Sequence, residues 1–190
     1  MMRVIAGEFR SRVLKSVPGD AARPTPSRLR ETLFDILAPR IRGATFVDAY
    51  AGTGAVGIEA LSRGASHVWF LERDRYALET IRENLAILGV ESRATVAAGR
   101  ALDTLPRYRA DIVFLDPPYS LEGEYGLALT LLAEQAPPTL VVAQHAMRFA
   151  MGEAYGTLIR SRTVRQGDNA LSFYTAATPS PDPRCQARLA

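Results

Sequence analysis

Between residues 44 and 144 the chain alternates short apolar runs with longer segments in which apolar residues recur every three or four positions. The clearest helical segment begins after Asp74, ends at Gly89 and carries leucine or isoleucine at helical spacing. Nearly continuous apolar strands between amphipathic helices are typical of a parallel sheet that is buried on both faces. Five such strands are predicted, at residues 45–50, 67–72, 94–97, 111–115 and 139–144.

Two segments near the C-terminus, 156–165 and 169–176, predict a closing antiparallel hairpin that turns at residues 166–169. They bring the sheet to seven strands. The sequence therefore predicts an α/β fold with a mostly parallel seven-stranded sheet, helices on both faces and antiparallel strands at one edge.

The N-terminal part of the chain has a different pattern. Residues 3–6 and 12–17 predict a short β-hairpin, and a helix is expected from Pro26 to about Leu37, capped by Thr25 and ended by Pro39. We therefore divide the chain into an N-terminal extension packed on the core, a core, and a flexible proline-containing tail, at residues 1–42, 43–177 and 178–190.

Charge distinguishes the N-terminal extension from the rest. Residues 1–42 hold nine cationic and four anionic side chains, while the remainder holds 14 cationic and 16 anionic ones. The whole positive excess therefore lies in this segment, as expected of a nucleic-acid-binding surface or of a solvated arginine-rich face.

Composition excludes several classes of protein. Apolar residues form 47% of the 190 residues and charged residues 23%, which is typical of a soluble globular protein. A single cysteine and two histidines exclude a disulfide scaffold and make no case for a metal site. The N-terminus is interrupted by charges too early for a signal peptide, and no apolar run is long enough to cross a membrane, so a cytoplasmic protein is expected.

A glycine motif follows the first core strand. Gly52, Gly54 and Gly57 match the G-x-G-x-x-G pattern at a helix start, and Glu72 ends the next strand 20 residues after Gly52. Such a loop admits a ligand close to the backbone, and such an acid can accept hydrogen bonds from ribose hydroxyls. The pattern predicts a cofactor that contains adenosine. Asp48 would repel a pyrophosphate and suits the ammonium of S-adenosylmethionine (SAM), which favours SAM but leaves NAD open.

A second motif, Asp116-Pro117-Pro118-Tyr119, follows a buried strand. The prolines restrict the backbone, so the Asp116 carboxylate and the Pro117 carbonyl can converge as hydrogen-bond acceptors. Two acceptors on the N–H groups of a nucleobase amine would favour its pyramidal, nucleophilic form, and the Tyr119 ring offers a stacking face. Taken alone, the same residues could be a proline turn that closes a strand.

These motifs resemble those of the Rossmann-like class I SAM-dependent methyltransferases that act on exocyclic nitrogens. The sequence is more closely similar to the bacterial 16S ribosomal RNA guanine-N2 methyltransferases of the RsmD type over about residues 2–175. The resemblance is carried by five matching segments, at residues 2–7, 23–25, 28, 30–34 and 57–63. The stretch from Arg23-Pro24-Thr25 to Arg30-Glu31-Thr32-Leu33-Phe34 is its most specific part.

The resemblance implies roles for individual residues. Asp116, Pro117, Pro118 and Tyr119 would be catalytic. SAM would be bound by residues of the strand ends and the loops between them: Asp48, Ala49, Gly52, Thr53, Gly54, Glu72, Arg73, Arg100, Ala101 and Thr25. RNA would be bound by arginines of the N-terminal extension: Arg3, Arg10, Arg12, Arg23 and Arg28. In one departure, Arg100 stands where the family has an Asp or Asn that accepts from the adenine amine, and a guanidinium cannot accept a hydrogen bond.

The function implied is methyl transfer from SAM to the N2 amine of a guanine in 16S ribosomal RNA, by a monomer that acts within an assembling small ribosomal subunit. Three alternatives stay open: a methyltransferase for DNA adenine-N6 or another nucleic-acid amine, a protein glutamine methyltransferase, and a non-catalytic RNA-binding assembly factor. No separate DNA-recognition domain is visible, which weighs against the first alternative. Asp116 weighs against the second, because an asparagine is usual there in glutamine methyltransferases. The intact Asp48, Glu72 and Asp116 weigh against the third.

Overall fold

The computed structural model describes residues 2–17, 26–135 and 137–177. Thr25, Arg23 and the segment 178–190 lie outside the described residues. The N-terminal extension contains β1 (Met2–Arg3), β2 (Val13–Leu14) and helix α1 (Ser27–Ile41). β1 and β2 pair antiparallel, so the predicted N-terminal hairpin is present with shorter strands than expected.

The core alternates strands and helices as the hydrophobic pattern predicts. Its first part consists of β3 (Thr45–Asp48), α2 (Ala55–Ser62), β4 (His67–Glu72), α3 (Arg75–Leu88) and β5 (Ala94–Ala98). Its second part consists of α4 (Ala101–Thr104), β6 (Ile112–Leu115), α5 (Glu124–Glu134), β7 (Leu140–Ala146), β8 (Ala154–Tyr155), β9 (Leu158–Gln166) and β10 (Asn169–Ala176). Asp74 caps α3 by accepting a hydrogen bond from the Ala77 amide, and Gly89 ends that helix in the left-handed conformation.

The main sheet has the order β5-β4-β3-β6-β7-β10-β9-β8. β3 to β7 pair in parallel, and β10, β9 and β8 are antiparallel additions at one side. The predicted α/β fold is confirmed. The sheet has eight strands rather than seven because the two-residue β8 pairs with β9, and a strand that short leaves no periodic signal in the sequence.

Helices cover both faces of the sheet. Apolar residues of α1, α2 and α3 pack with Phe46 and Phe70 on one face, while those of α4 and α5 pack with Val47 and Val113 on the other. Because β3, β4 and β6 are parallel neighbours, the segments that follow them emerge at one edge of the sheet. Both sequence motifs lie in these segments.

Helix α1 differs from its prediction at the C-terminus. The expectation that Pro39 ends the helix is wrong, since α1 continues through Pro39 to Ile41. Proline lacks an amide hydrogen and costs the helix one hydrogen bond. Ile41 is only 3% exposed, so its burial in the core holds the last turn in place despite that loss.

Candidate active site

Asp48 connects the end of β3 to the glycine loop. Its side chain is 1% exposed, and its Oδ2 accepts a hydrogen bond of 2.9 Å from the amide of Gly57 in the first turn of α2. A Cβ atom on Gly57 would lie 2.3 Å from the Phe70 ring, so glycine is required there for α2 to pack on β4. Of the motif glycines, Gly57 therefore serves packing rather than a ligand.

The surroundings of Asp48 disfavour its negative charge. Burial raises the pKa of Asp48 to about 7, the negative charges of Asp116 and Glu72 add to this rise, and the hydrogen bond from Gly57 opposes it. Three carboxyl groups therefore interact at the edge formed by β3, β4 and β6. A cation at this edge would relieve their repulsion, whereas a pyrophosphate would increase it.

Glu72 is held by backbone amides at the end of β4. Its Oε2 accepts from Gly52 at 2.7 Å, and its Oε1 accepts from Arg73 at 2.7 Å and from Asp74 at 2.9 Å. A carboxylate offers about four acceptor positions, so these bonds leave about one position for a ligand hydroxyl. The same bonds fix the glycine loop to the strand that carries Glu72.

The Asp116-Pro117-Pro118-Tyr119 segment emerges beside Asp48. β6 pairs with β3, and the amide of Ala49 donates to the Phe114 carbonyl at 3.0 Å. Pro117 is buried and Pro118 is exposed. Tyr119 begins a short turn, and its side chain is 54% exposed. The ring of Tyr119 is thus presented to solvent at the same edge as the three carboxyl groups.

Arg100 lies in an ion pair that sequence reasoning missed. Its guanidinium lies 3.5 Å from Oε1 of Glu124, and Oε2 of Glu124 accepts a 2.8 Å hydrogen bond from the Tyr50 hydroxyl. Arg100 thereby links the start of α4 to α5 and to the segment after β3. Glu124 belongs to no recognisable motif, and Tyr50 is marked in the sequence only by its position between Asp48 and the glycine loop. Ala101 is buried, and Arg73 is exposed.

A buried acid on α2 holds the N-terminal hairpin. Glu59 is 0% exposed and accepts hydrogen bonds from the amides of Ile5 and Ala6 at 2.8 and 3.0 Å. It also pairs with the Arg63 guanidinium at 3.0 Å. A charged residue inside an otherwise apolar helix is visible in the sequence, but its partners in the hairpin are not.

The hairpin runs along α2 towards the glycine loop. At its start, the Thr53 hydroxyl of that loop donates to the Met2 sulfur at 3.3 Å. At its turn, the Glu8 amide donates to the Ser62 carbonyl at the C-terminus of α2 at 2.8 Å. The extension therefore contacts both ends of the helix that begins at the glycine loop.

The arginines proposed to bind RNA are exposed but not gathered at one place. Arg3, Arg10, Arg12 and Arg28 are all exposed. Arg10 lies in the turn of the hairpin, about 12 Å from the glycine loop along the eight residues of α2. Arg28 lies in the first turn of α1. Two of the predicted site residues, Thr25 and Arg23, lie outside the described residues.

Within residues 2–17, 26–135 and 137–177, no cluster of three or more potential metal-ligating side chains is present. In the same ranges, no helix combines the length and apolar character needed to cross a membrane.

The pattern of acidic strand ends, glycine loop and proline motif belongs to a known family. A family model described as "Conserved hypothetical protein 95" matches residues 2–175. The chain belongs to this family. Its resemblance to the RsmD-type methyltransferases is confirmed, and the chain is an enzyme of the methyltransferase class.

Relatives match most of the chain. It is 35% identical over 181 residues to YlbH of Bacillus subtilis, which covers 91% of this chain and 98% of that protein. It is 39% identical over 140 residues to the ribosomal RNA small subunit methyltransferase D of Haemophilus influenzae, which covers 71% of this chain and 68% of that protein. The solved structure of yhhF from Escherichia coli matches with a TM-score of 0.80 and 30% identity, covering 93% of this chain and 98% of that one.

Proposed function

We propose that the protein transfers a methyl group from SAM to the exocyclic N2 amine of a guanine in 16S ribosomal RNA. The observation that carries the proposal is the meeting of Asp48, Glu72 and Asp116 at one edge of the sheet, next to an exposed aromatic ring. The relative named ribosomal RNA small subunit methyltransferase D supports an RNA substrate.

SAM fits this edge better than a dinucleotide does. The sulfonium and ammonium of SAM are cations, and the three interacting carboxyl groups favour a cation near Asp48. The remaining acceptor position of Glu72 can take a ribose hydroxyl. Because Arg100 cannot accept a hydrogen bond and is paired with Glu124, adenine recognition falls to backbone groups near Ala101.

The residues after β6 are proposed to hold the target base. SAM supplies the methyl group when it is bound. The Asp116 carboxylate and the Pro117 carbonyl accept hydrogen bonds from the N–H groups of the guanine amine, which directs the lone pair of that amine towards the methyl group. The Tyr119 ring stacks on the extruded base. The amine becomes acidic when it is methylated, so water can remove the proton afterwards.

We infer that Arg3, Arg10, Arg12, Arg23 and Arg28 bind RNA phosphates. The protein is proposed to act as a cytoplasmic monomer on an assembling small ribosomal subunit. Its extension, core and tail are proposed to span residues 1–42, 43–177 and 178–190.

The decisive experiment identifies the methylated atom. Small ribosomal subunits and deproteinised 16S RNA from cells that lack the gene are incubated with the purified protein and tritiated SAM, and the modified nucleotide is mapped. We expect one N2-methylguanine and no transfer by Asp116→Ala. Faster transfer to subunits than to naked RNA would support the assembling subunit as substrate. Label in DNA adenine or in a protein glutamine, with none in RNA, would contradict the proposal and favour the corresponding alternative.

A further inference from the structure

Arg148 lies against the ring that is proposed to stack on the target base. It follows β7 by two residues, and β7 lies beside β6 on the side away from β3. The Arg148 guanidinium carbon is 5.8 Å from the centroid of the Tyr119 ring, and both side chains are exposed. Among the described residues, Arg148 has no carboxylate partner. Its charge is therefore available to an anion.

The loop that carries Arg148 is anchored. The amide of Met147 donates to the Asp168 carbonyl at 2.8 Å, which ties the loop to the turn between β9 and β10. The Phe149 ring packs 5.2 Å from the ring of the buried Tyr125. Because both neighbours of Arg148 are fixed, the guanidinium can be held beside Tyr119 before a ligand arrives, which lowers the entropic cost of binding.

A second cationic side chain lies at the same edge of the sheet. Arg165 on β9 is level with Ala170, and Ala170 is level with His145 near the carboxyl end of β7. Arg165 is exposed, has no carboxylate partner among the described residues, and lines a cavity of about 280 Å³ together with Met147.

The other two arginines of β9 already have partners, although Arg160 lines the same cavity as Arg165. Arg160 is paired with Glu153, and Arg162 stacks on Phe173 at 5.6 Å. Arg162 and Arg165 are three positions apart on β9, so the two side chains point to opposite faces of the strand. Of the β9 arginines, Arg165 is thus the one that combines an unneutralised charge with a position at the edge that carries Tyr119.

We propose that Arg148 and Arg165 bind phosphates of the RNA strand that flank the target base, with the Arg148 guanidinium on one face of the Tyr119 ring and the base on the other. β7 and β9 are separated only by β10, about 10 Å across the sheet, so one extended strand can reach both. Arginine suits this role because its planar guanidinium can stack on a ring while donating to phosphate. The inference rests on the proposed function and adds an RNA surface outside the N-terminal extension.

The test measures binding of deproteinised 16S RNA, from cells that lack the gene, over a range of salt concentrations. Arg148→Gln and Arg165→Gln should each lower the slope of log affinity against log salt by about 0.7–0.9, and the double variant by about twice that. SAM affinity, measured by calorimetry, should stay at the wild-type value. Arg40→Gln removes one exposed charge from the last turn of α1 and should keep the wild-type slope.

A charge-conserving variant separates the two contacts of Arg148. Arg148→Lys should restore the salt slope, because a lysine still neutralises a phosphate. Its single-turnover methylation rate with saturating SAM should stay below that of the wild type, because an ammonium lacks the planar surface that holds the Tyr119 ring.

Wild-type slopes for both Arg148→Gln and Arg165→Gln would overturn this inference, even if the wild-type protein methylates 16S RNA. If the slopes fall as expected but the wild-type protein leaves 16S RNA unmethylated, the proposed target is wrong while the RNA surface stands.

Discussion

Asp48 is a buried carboxyl group whose pKa lies near neutrality, first because it is desolvated and then because Asp116 and Glu72 are negative. A cation close to its carboxylate would favour ionisation, so SAM binding should release a proton from Asp48. We predict that SAM affinity rises by about fivefold to tenfold between roughly pH 6 and pH 8. Calorimetry at a series of pH values checks this.

Asp48→Asn is the matched control, since it keeps an acceptor oxygen for the Gly57 amide but does not titrate. The variant should lose the part of the pH dependence that comes from the protein, while the titration of the SAM amine itself is common to both proteins. Identical pH profiles for the two proteins would show that Asp48 does not face the cofactor.

The same residue makes stability depend on pH. The folded-state pKa of Asp48, about 7, exceeds its ordinary value of 3.8, so the folded protein binds the proton more tightly than the unfolded chain does. The bound proton stabilises the folded state by up to roughly 4 kcal/mol. This stabilisation is fully present below about pH 4 and is lost as the pH rises through about 7. The free energy of unfolding measured in urea should therefore decline between those pH values in the wild type. Asp48→Asn should show no such decline.

Asp116 has two possible roles that substitutions distinguish. If its carboxylate only accepts a hydrogen bond from the guanine amine, Asp116→Asn should retain measurable turnover and Asp116→Ala should lose more. If it removes a proton as a general base, both variants should be equally inactive. We predict the first outcome in single-turnover assays with saturating SAM.

Tyr119 provides a second arm of that assay. Tyr119→Phe should lower the methylation rate only slightly, because stacking needs the ring and not the hydroxyl. Tyr119→Ala should lose about 1–3 kcal/mol of base-stacking free energy. Wild-type rates for both alanine variants, at positions 116 and 119, would exclude this segment as the active site.

At the scale of elements, the N-terminal hairpin and α2 form one unit. Glu59 binds two hairpin amides, and the Ser62 hydroxyl accepts from the Phe9 amide at 3.0 Å. Gly7 lies between these contacts, and a Cβ atom there would be 1.9 Å from the Ser62 carbonyl oxygen. The approach of the two backbones at this point therefore requires glycine.

Gly7→Ala should destabilise the protein more than Gly43→Ala does. Both glycines have positive φ, 84° and 77°, so both substitutions carry the backbone cost of about 1–2 kcal/mol for an L-residue in that conformation. Only Gly7 adds a backbone clash, since nothing lies within 4 Å of a Cβ atom on Gly43. Denaturant unfolding of the two variants measures the difference, and equal losses would mean that the hairpin does not dock on α2 as described.

At the scale of the whole molecule, exposed arginines of the hairpin lie away from the sheet edge that carries Asp48, Glu72 and Asp116. Arg10 lies in the hairpin turn, Arg12 directly precedes β2, and both are exposed. If RNA follows this surface, Arg10→Gln with Arg12→Gln should lower the slope of log affinity against log salt by about 1.4–1.8 and leave SAM affinity unchanged. A wild-type slope in the double variant would identify the turn of the hairpin as an ordinary solvated surface.

The sequence by itself determined the core strands and helices, because burial on both faces of a parallel sheet imposes apolar runs and amphipathic helices that are visible locally. It also located Asp48, Glu72 and Asp116 at strand ends, and parallel strands bring such ends to one edge. Local pattern failed at Pro39, where the burial of Ile41 extends the helix.

Only the tertiary structure decided which of these residues share a contact. Three of these interactions join residues that are distant in sequence. Asp116 and Glu72 raise the pKa of Asp48, Arg100 pairs with Glu124, and Glu59 holds the hairpin. The position of Arg148 against Tyr119 likewise depends on β7 lying beside β6, which strand order in the chain does not specify. Periodicity indicates which face of its own helix or strand a residue occupies. Charge coupling and stacking depend instead on the distance between elements, and packing alone sets that distance.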